Sequence, residues 1–283
     1  MGKMIFKIIF VIFLVLGSLY LYGTYVEPKI LKVQDYKIKN EKITDNFDGF
    51  KIVHISDIHY GRSYNKEELN KLVKKINELE ADIVVLTGDL LDRDTKMTTT
   101  MVGSIASELN KIEAKSGKYA INGNHELKFD EWDNIISSGG FINLNNDYDT
   151  IYNNSYNEIM ISGLSTKWDK KPIEDKHSKA EDYINSFEKD GPIYKILLIH
   201  EPDYIDTLEN NPYDLVLAGH SHGGQVRIPF VGALYKPDGA KKYFEGHNKV
   251  KDADLYISNG FGVSNFNIRL FNPPTINVYR LVK

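Results

Sequence analysis

Carboxylate, amide and imidazole side chains recur along this sequence at short spacings that suit metal binding. They fall in five motifs, in the order Asp57-Ile58-His59, Gly88-Asp89, Gly123-Asn124-His125-Glu126, His200 and Gly219-His220-Ser221-His222. Together they supply the donors of a two-metal hydrolytic site. The chain has no cysteine, so thiolate ligands and disulfides are excluded, and any metal must be held by oxygen and nitrogen donors.

Each motif follows a segment that the sequence predicts to be a β-strand. The predicted strands cover residues 51–56, 83–87, 118–121, 194–199 and 215–218. Between them, Asn65 with Glu68 three residues later predicts a capped helix, and a second apolar stripe runs over residues 101–112. Alternating strands and helices imply parallel pairing, with ligand sites beyond the strand carboxyl ends. One polar residue after a strand is usually a turn residue, but five in succession favour a common site.

The overall composition is that of a globular protein. Of 283 residues, 42% are hydrophobic and 26% are charged, and this length suits one large α/β domain. The formal net charge of -4 provides no basic surface for a nucleic-acid backbone. Nucleic acid is therefore not expected as a partner.

Residues 1–26 are predicted to form a transmembrane anchor or signal-anchor. Lys7 is the only charge in residues 5–26, and a helix of that length spans roughly 33 Å against a hydrocarbon core of about 30 Å. Lys3 and Lys7 precede the apolar run, as in a secretory signal or an uncleaved anchor, but no A-x-A-like cleavage site follows it. An anchor with its N-terminus inside places the following domain outside the membrane, although Lys29 and Lys32 weaken the charge asymmetry.

The remainder divides into a connector with an edge hairpin at residues 27–48 and a catalytic domain at residues 49–283. The hairpin is predicted from alternating residues at 37–39 and 42–44, and Pro28 is expected to stop the preceding helix. Within the domain, His54 is predicted to be a packed core residue and His177 to lie in a solvated loop. Trp168 either covers nearby core or forms part of a lid.

The motifs resemble those of the calcineurin-like metallophosphoesterases. The resemblance covers about residue 51 to the C-terminus and rests on DIH at 57–59, GDLLDR at 88–93, GNHE at 123–126, HEPD at 200–203 and GHSHGGQ at 219–225. Within that superfamily, GHSHGGQVRIP, GALYKP and NGFGVSNFNIRLFNPP are similar to the membrane-associated bacterial branch. The fold that this implies is α/β, a two-sheet β-sandwich flanked by helices.

The resemblance also implies roles for individual residues. One metal would take Asp57, His59 and His222, the other Asn124, His200 and His220, and Asp89 would bridge them. His125 resembles the family's acid, which protonates the leaving oxygen, and its ordinary pKa suits that task. By the same resemblance Asp92 would orient His125, Arg93 would face the substrate phosphate, and His247 would lie near the substrate. The donor set suits manganese first, with iron or zinc as alternatives.

The sequence therefore predicts a two-metal hydrolase of phosphate esters. Phosphodiester or pyrophosphate bonds of lipid-linked or envelope molecules are the expected substrates, because an anchor would hold the site near the bilayer. A protein phosphatase or a nucleotide phosphodiesterase is the alternative within the enzyme class. A non-catalytic binding module of the same fold is a further alternative, which a missing ligand would favour, and none is missing.

Overall fold

The apolar N-terminal segment forms one long helix, α1 (Gly2–Tyr25), whose side chains are almost all exposed. The computed structural model describes residues 2–62, 64–187, 193–208 and 211–283, and in these ranges α1 is long and apolar enough to cross a membrane. Its 24 residues span about 36 Å. Only its last turn touches the rest of the protein, where Gly23 is buried.

Two six-stranded sheets form the centre of the domain. Sheet one has the order β1-β14-β2-β3-β4-β5, and sheet two has the order β12-β13-β9-β8-β7-β6. The strands of sheet one are β1 (Lys32–Lys39), β2 (Lys51–Ile55), β3 (Ile83–Thr87), β4 (Gly117–Ile121), β5 (Ile142–Asn143) and β14 (Thr275–Val282). Those of sheet two are β6 (Asp147–Tyr152), β7 (Glu158–Gly163), β8 (Tyr194–Leu198), β9 (Leu215–Ala218), β12 (Gly246–Val250) and β13 (Ala253–Ile257). The predicted two-sheet architecture is confirmed.

Parallel pairing aligns the strand ends that precede the motifs. Strands β2, β3, β4 and β5 are parallel in sheet one, and β7, β8, β9 and β13 are parallel in sheet two. A separate two-stranded hairpin, β10 (Arg227–Ile228) and β11 (Gly232–Ala233), follows the last motif. The carboxyl ends of parallel strands share one edge, so the motifs of each sheet are gathered there.

Helices cover the outer faces of both sheets. They are α2 (Lys66–Asn77), α3 (Thr99–Asn110), α4 (Trp132–Ser138) and α5 (Ile173–Phe187). One apolar cluster joins sheet one to α2, α3 and α4, a second lies between the sheets, and a third joins sheet two to α5. As predicted, α2 begins at a capping box in which Asn65 and Glu68 each bond the backbone of the other. His54 is buried, as predicted, and hydrogen-bonds Thr87 at 2.8 Å.

Two local predictions are wrong. The edge hairpin is absent, because residues 37–39 lie in β1, which pairs in parallel with β14, and Asn40 turns the following residues inward so that Ile43 is buried. Residues 32–39 are therefore part of the domain's sheet. His177 lies on α5 rather than in a solvated loop, and its Nε2 hydrogen-bonds the Tyr213 hydroxyl at 2.8 Å. The many charged residues around His177 made this segment resemble a solvated loop, so the apolar face of α5 was not recognised in the sequence.

Candidate metal centre

Seven side chains that the sequence predicts as metal ligands follow the carboxyl ends of β2, β3, β4, β8 and β9. Six of them form two groups of possible ligands, Asp57 with His59 and His222, and Asp89 with His200 and His220. In each group the donor atoms all lie within 4.8 Å of one another. In the first group, His222 Nε2 lies 3.0 Å from His59 Nε2 and 3.4 Å from Asp57 Oδ1.

Asp89 belongs to the second group and also lies close to the first. Its Oδ2 is 3.4 Å from His200 Nε2 in one group and 3.6 Å from His59 Nε2 in the other. This carboxylate therefore occupies the position of a bridge. Asn124 lines the same cavity as Asp89, and its Oδ1 is buried without a hydrogen-bond partner among the described residues. A buried oxygen without a partner is costly, so the donor set fits a pair of divalent ions that would complete its contacts.

The ligand backbone is strained. Five of the seven ligands have φ between 50° and 66°, namely Asp57, His59, Asp89, His220 and His222. Left-handed backbone is uncommon outside glycine and costs on the order of 1–3 kcal/mol per residue, so it persists only where the surroundings impose it. Gly88 and Gly123 let the β3 and β4 loops meet, since a Cβ on Gly88 would come within 2.5 Å of the Gly123 nitrogen. Sharp turns of this kind aim successive side chains at one point.

Burial and neighbouring charges shift the pKa values of the predicted ligands. Burial raises the pKa of the Asp89 carboxyl, but the nearby charges of His200 and His125 outweigh it and hold that pKa well below its usual range. Burial, together with the charges of His59 and Arg269, holds the pKa of His222 well below its usual range. Burial lowers the pKa of His200, but the Asp89 charge outweighs it and raises that pKa well above its usual range. Asp89 is thus an anion, the form in which a carboxylate binds a metal.

His125 lies beside the two groups described above, and it forms a third group of possible ligands with His59 and Asp92. Its Nδ1 accepts the backbone N–H of Arg93 at 3.0 Å, which leaves the proton of the neutral ring on Nε2. Nε2 lies 3.8 Å from Asp89 Oδ2. Burial lowers the pKa of His125 to about 4, in contrast to the ordinary pKa that the sequence suggests.

Asp92 is closer to His59 than to His125. Its Oδ2 lies 3.6 Å from His59 Nδ1 and 3.9 Å from His125 Nδ1. The backbone of Arg93 therefore takes the orienting position that the sequence assigns to Asp92. A carboxylate facing the second nitrogen of a metal-binding imidazole fixes the ring and increases its basicity.

The cavity beside the metal centre has a volume of about 690 Å³. Its lining includes the polar residues Asp89, Arg93, Asn124, His125 and His220. The lining also includes five apolar residues, here called the apolar wall, namely Val226, Leu234, Tyr235, Pro237 and Phe266. The ring of Trp168 lies 5.4 Å from that of His220, so this side chain contacts a predicted ligand.

His247 is not brought to this centre. It lies on β12, the edge strand of sheet two, where its Nε2 meets Asp254 Oδ1 at 2.7 Å and its ring stacks on Tyr256 at 4.6 Å. Its predicted position near the substrate is wrong, because the strand after the Gly246 turn runs along the sheet edge.

Two supports of the centre were missed by sequence reasoning. Buried Arg269 donates to the carbonyl oxygens of Asn259, Gly260 and Gly262, and its guanidinium lies 3.3 Å from His222 Nδ1. Glu126, the last residue of the GNHE motif, accepts three backbone N–H groups, those of Asp89, Leu91 and Gly123, at 2.8–2.9 Å. Burial and the Asp89 charge raise the pKa of Glu126 to about 7, although the backbone donors favour its ionised form. Residue spacing in the sequence does not reveal which groups Glu126 and Arg269 contact.

Glu126→Gln is expected to weaken metal binding by about 10- to 100-fold. Its NH2 group must face at least one of the three backbone N–H groups, which leaves that group unpaired at a cost of about 1–3 kcal/mol. Manganese titration and thermal unfolding measure both effects. Glu113→Gln, at an exposed position, is the matched control. Unchanged metal affinity in Glu126→Gln would show that Glu126 does not hold the ligand loops.

Comparison with known proteins gives the family. The model of the calcineurin-like phosphoesterases matches residues 50–224. The uncharacterized metallophosphoesterase YkuE of Bacillus subtilis is 31% identical over 94% of this chain and 90% of its own length. The phosphodiesterase YaeI of Escherichia coli is 26% identical, over 92% of each chain.

A third relative is the UDP-2,3-diacylglucosamine pyrophosphatase LpxG of Chlamydia muridarum, which is 25% identical over 92% of each chain. The family match covers more than half of the chain and includes all seven predicted ligands. With the paired ligand groups on the same strand ends, the protein belongs to the calcineurin-like phosphoesterase family and is a metal-dependent phosphoester hydrolase.

Proposed function

We propose that this protein is a membrane-anchored hydrolase of phosphodiester or pyrophosphate bonds in lipid-linked or envelope molecules. The observation that carries the proposal is the mixed lining of the cavity, which combines predicted metal ligands with the apolar wall from Val226 to Phe266. A phosphate group suits the predicted ligands and a hydrocarbon chain suits the apolar wall. YaeI is named a phosphodiesterase and LpxG a pyrophosphatase of a diacylated molecule, which supports the same chemistry.

The predicted ligands would bind the metals, and two further residues would act on the substrate. Asp57, His59 and His222 would hold one divalent ion, and Asn124, His200 and His220 the other, with Asp89 shared. When bound, such ions polarise the phosphoryl oxygens and lower the pKa of water. Manganese is the first choice, with iron or zinc as alternatives. Arg93 would contact the phosphate, and His125 would protonate the leaving oxygen from its imidazolium form, because the neutral ring does not give up its Nε2 proton.

A series of p-nitrophenyl alkyl phosphates tests the substrate class. Each methylene buried against the wall adds about 0.8 kcal/mol, which is about fourfold in kcat/KM. Even with half of each methylene buried, we expect a rise of at least about tenfold from the methyl to the hexyl ester. Leu234→Ser should flatten the series while leaving the methyl ester unaffected. A flat wild-type series overturns the lipid assignment, and no hydrolysis of any diester with manganese overturns the hydrolase itself.

We further propose that α1 remains attached and that the catalytic domain lies outside the membrane. Lys3 and Lys7 flank α1 on its short side, and such charges favour the cytoplasm. Protease treatment of intact spheroplasts should remove a C-terminal tag. If the tag survives until the membrane is permeabilised, the domain is cytoplasmic. A mature chain that starts after residue 26 would mean that α1 is cleaved.

A further inference from the structure

An exposed apolar patch lies beside the wall of the cavity. It comprises Ile228, Phe230, Val231 and Phe271, here called the apolar lip, and these residues line one shallow depression around the β10–β11 turn. Phe230 is fully exposed and Val231 is 74% exposed. Soluble surfaces seldom present contiguous large apolar side chains, and such patches mark contacts with proteins or membranes.

The lip is attached to the end of α1 by backbone contacts. The Arg269 N–H donates to the Gly23 carbonyl at 2.9 Å, and a Cβ on Gly23 would lie only 2.7 Å from the Arg269 oxygen. The buried Glu27 carboxylate, just beyond the helix, accepts the Phe271 N–H at 2.9 Å. The segment that carries Phe271 is therefore fixed against the last turn of α1.

The base of the β10–β11 hairpin is hydrogen-bonded to Leu270, which follows Arg269 in the same segment. Leu270 accepts the Arg227 N–H at 2.9 Å and donates to the Gln225 carbonyl at 3.1 Å. Two consecutive residues, Arg269 and Leu270, thus join the end of α1 to the base of the β10–β11 hairpin. The lip cannot be far from the level at which α1 leaves the bilayer.

Aromatic residues lie at the height where α1 would leave the bilayer. Tyr20, Tyr22 and Tyr25 are exposed on the last two turns of α1, and tyrosine is enriched at membrane–water interfaces. Lys29, which follows directly, is exposed and can meet anionic headgroups. An apolar surface at this height is continuous with the apolar surface of the anchor, which favours lipid over a second protein as its occupant.

We propose that the apolar lip inserts into the headgroup and upper acyl region of the bilayer and holds the cavity mouth against the membrane. Val226 and Leu234, on either side of the hairpin, belong to the cavity wall, so a lipid chain can pass from the bilayer along the wall. The proposal rests on α1 being an anchor, as proposed above, but not on the reaction, and it is tested without substrate.

Tryptophan quenching in nanodiscs containing one full-length chain per disc tests the insertion. The lipids are brominated in the upper acyl chain, and the signal of native Trp132 and Trp168 is subtracted. A surface buried about 5–10 Å into the headgroup boundary brings a probe to the bromines, so Phe230→Trp should lose at least about half of its fluorescence. Phe230 has no core contact to lose, so the substitution leaves the fold intact.

Two further probes separate the possible failures. Phe13→Trp, in the middle of α1, should be quenched if the anchor spans the bilayer. Tyr156→Trp is the matched control, because Tyr156 is 99% exposed on the β6–β7 turn, at the edge of sheet two opposite the metal centre. Quenching at positions 13 and 230 but not at 156 supports the lip. Quenching at 13 alone overturns it, and quenching at none overturns the anchor and the lip together while leaving the hydrolase proposal standing.

Discussion

Asp89→Asn is expected to remove at least about three orders of magnitude of kcat/KM, since the metal pair contributes several kcal/mol and each 1.36 kcal/mol is tenfold. The substitution removes the anionic charge between the two ligand groups, so both sites weaken together. The fold should persist, because asparagine tolerates the φ of 50° at this position and its side-chain oxygen can still accept the backbone N–H of His125. Activity is measured at saturating manganese together with the metal content of the purified protein.

Asp94→Asn is the matched control for the bridge. Asp94 lies in the same loop, but its side chain is exposed and paired with Arg62. It should keep activity and two metals per chain. If Asp89→Asn retained activity within a few-fold of the wild type, Asp89 would not be the bridge.

His125→Ala is expected to slow the hydrolysis of substrates with poor leaving groups by about 10²- to 10⁴-fold, the usual contribution of a positioned general acid. The effect should be much smaller for p-nitrophenyl esters, whose leaving oxygen needs little protonation. Metal content should stay at two per chain, because His125 is proposed as the acid and not as a ligand.

His247→Ala serves as the control for an imidazole outside the centre. It removes the contact with Asp254 at the sheet edge and should leave turnover unchanged for every leaving group. Loss of one metal in His125→Ala would instead make His125 a ligand. An equal rate loss for good and poor leaving groups would remove its role as an acid.

The sequence predicted the parts of the fold that obey local rules. Strand ends carry the ligands because β-branched runs stop at glycine-rich turns, and α2 begins at the Asn65 capping box for a reason visible within four residues. Parallel pairing followed from the alternation of strands and helices. The resemblance of the motifs allotted three ligands to each metal and made Asp89 the bridge. In the structure Asp57, His59 and His222 lie together, and His200 and His220 lie together with Asp89.

Features that depend on distant parts of the chain were not accessible in this way. Arg269 supports His222 from a loop 47 positions later, and nothing in its neighbours announces that contact. The sequence predicted a local hairpin where β1 in fact pairs with β14. Alternation within one segment cannot reveal a partner strand at the other end of the chain. The lowered pKa of His125 likewise depends on burial, which the motif does not encode.

The position of β14 between β1 and β2 has a consequence for biogenesis. During synthesis α1 and β1 are made first, but β1 has no neighbour in sheet one until β14 has been made. The edge of β2 also stays open during that time. Pairings so distant in sequence form slowly and leave unpaired strand edges prone to aggregation. The nascent domain therefore depends on its final strand for closure, and loss of residues 275–282 should yield degradation rather than a weaker enzyme.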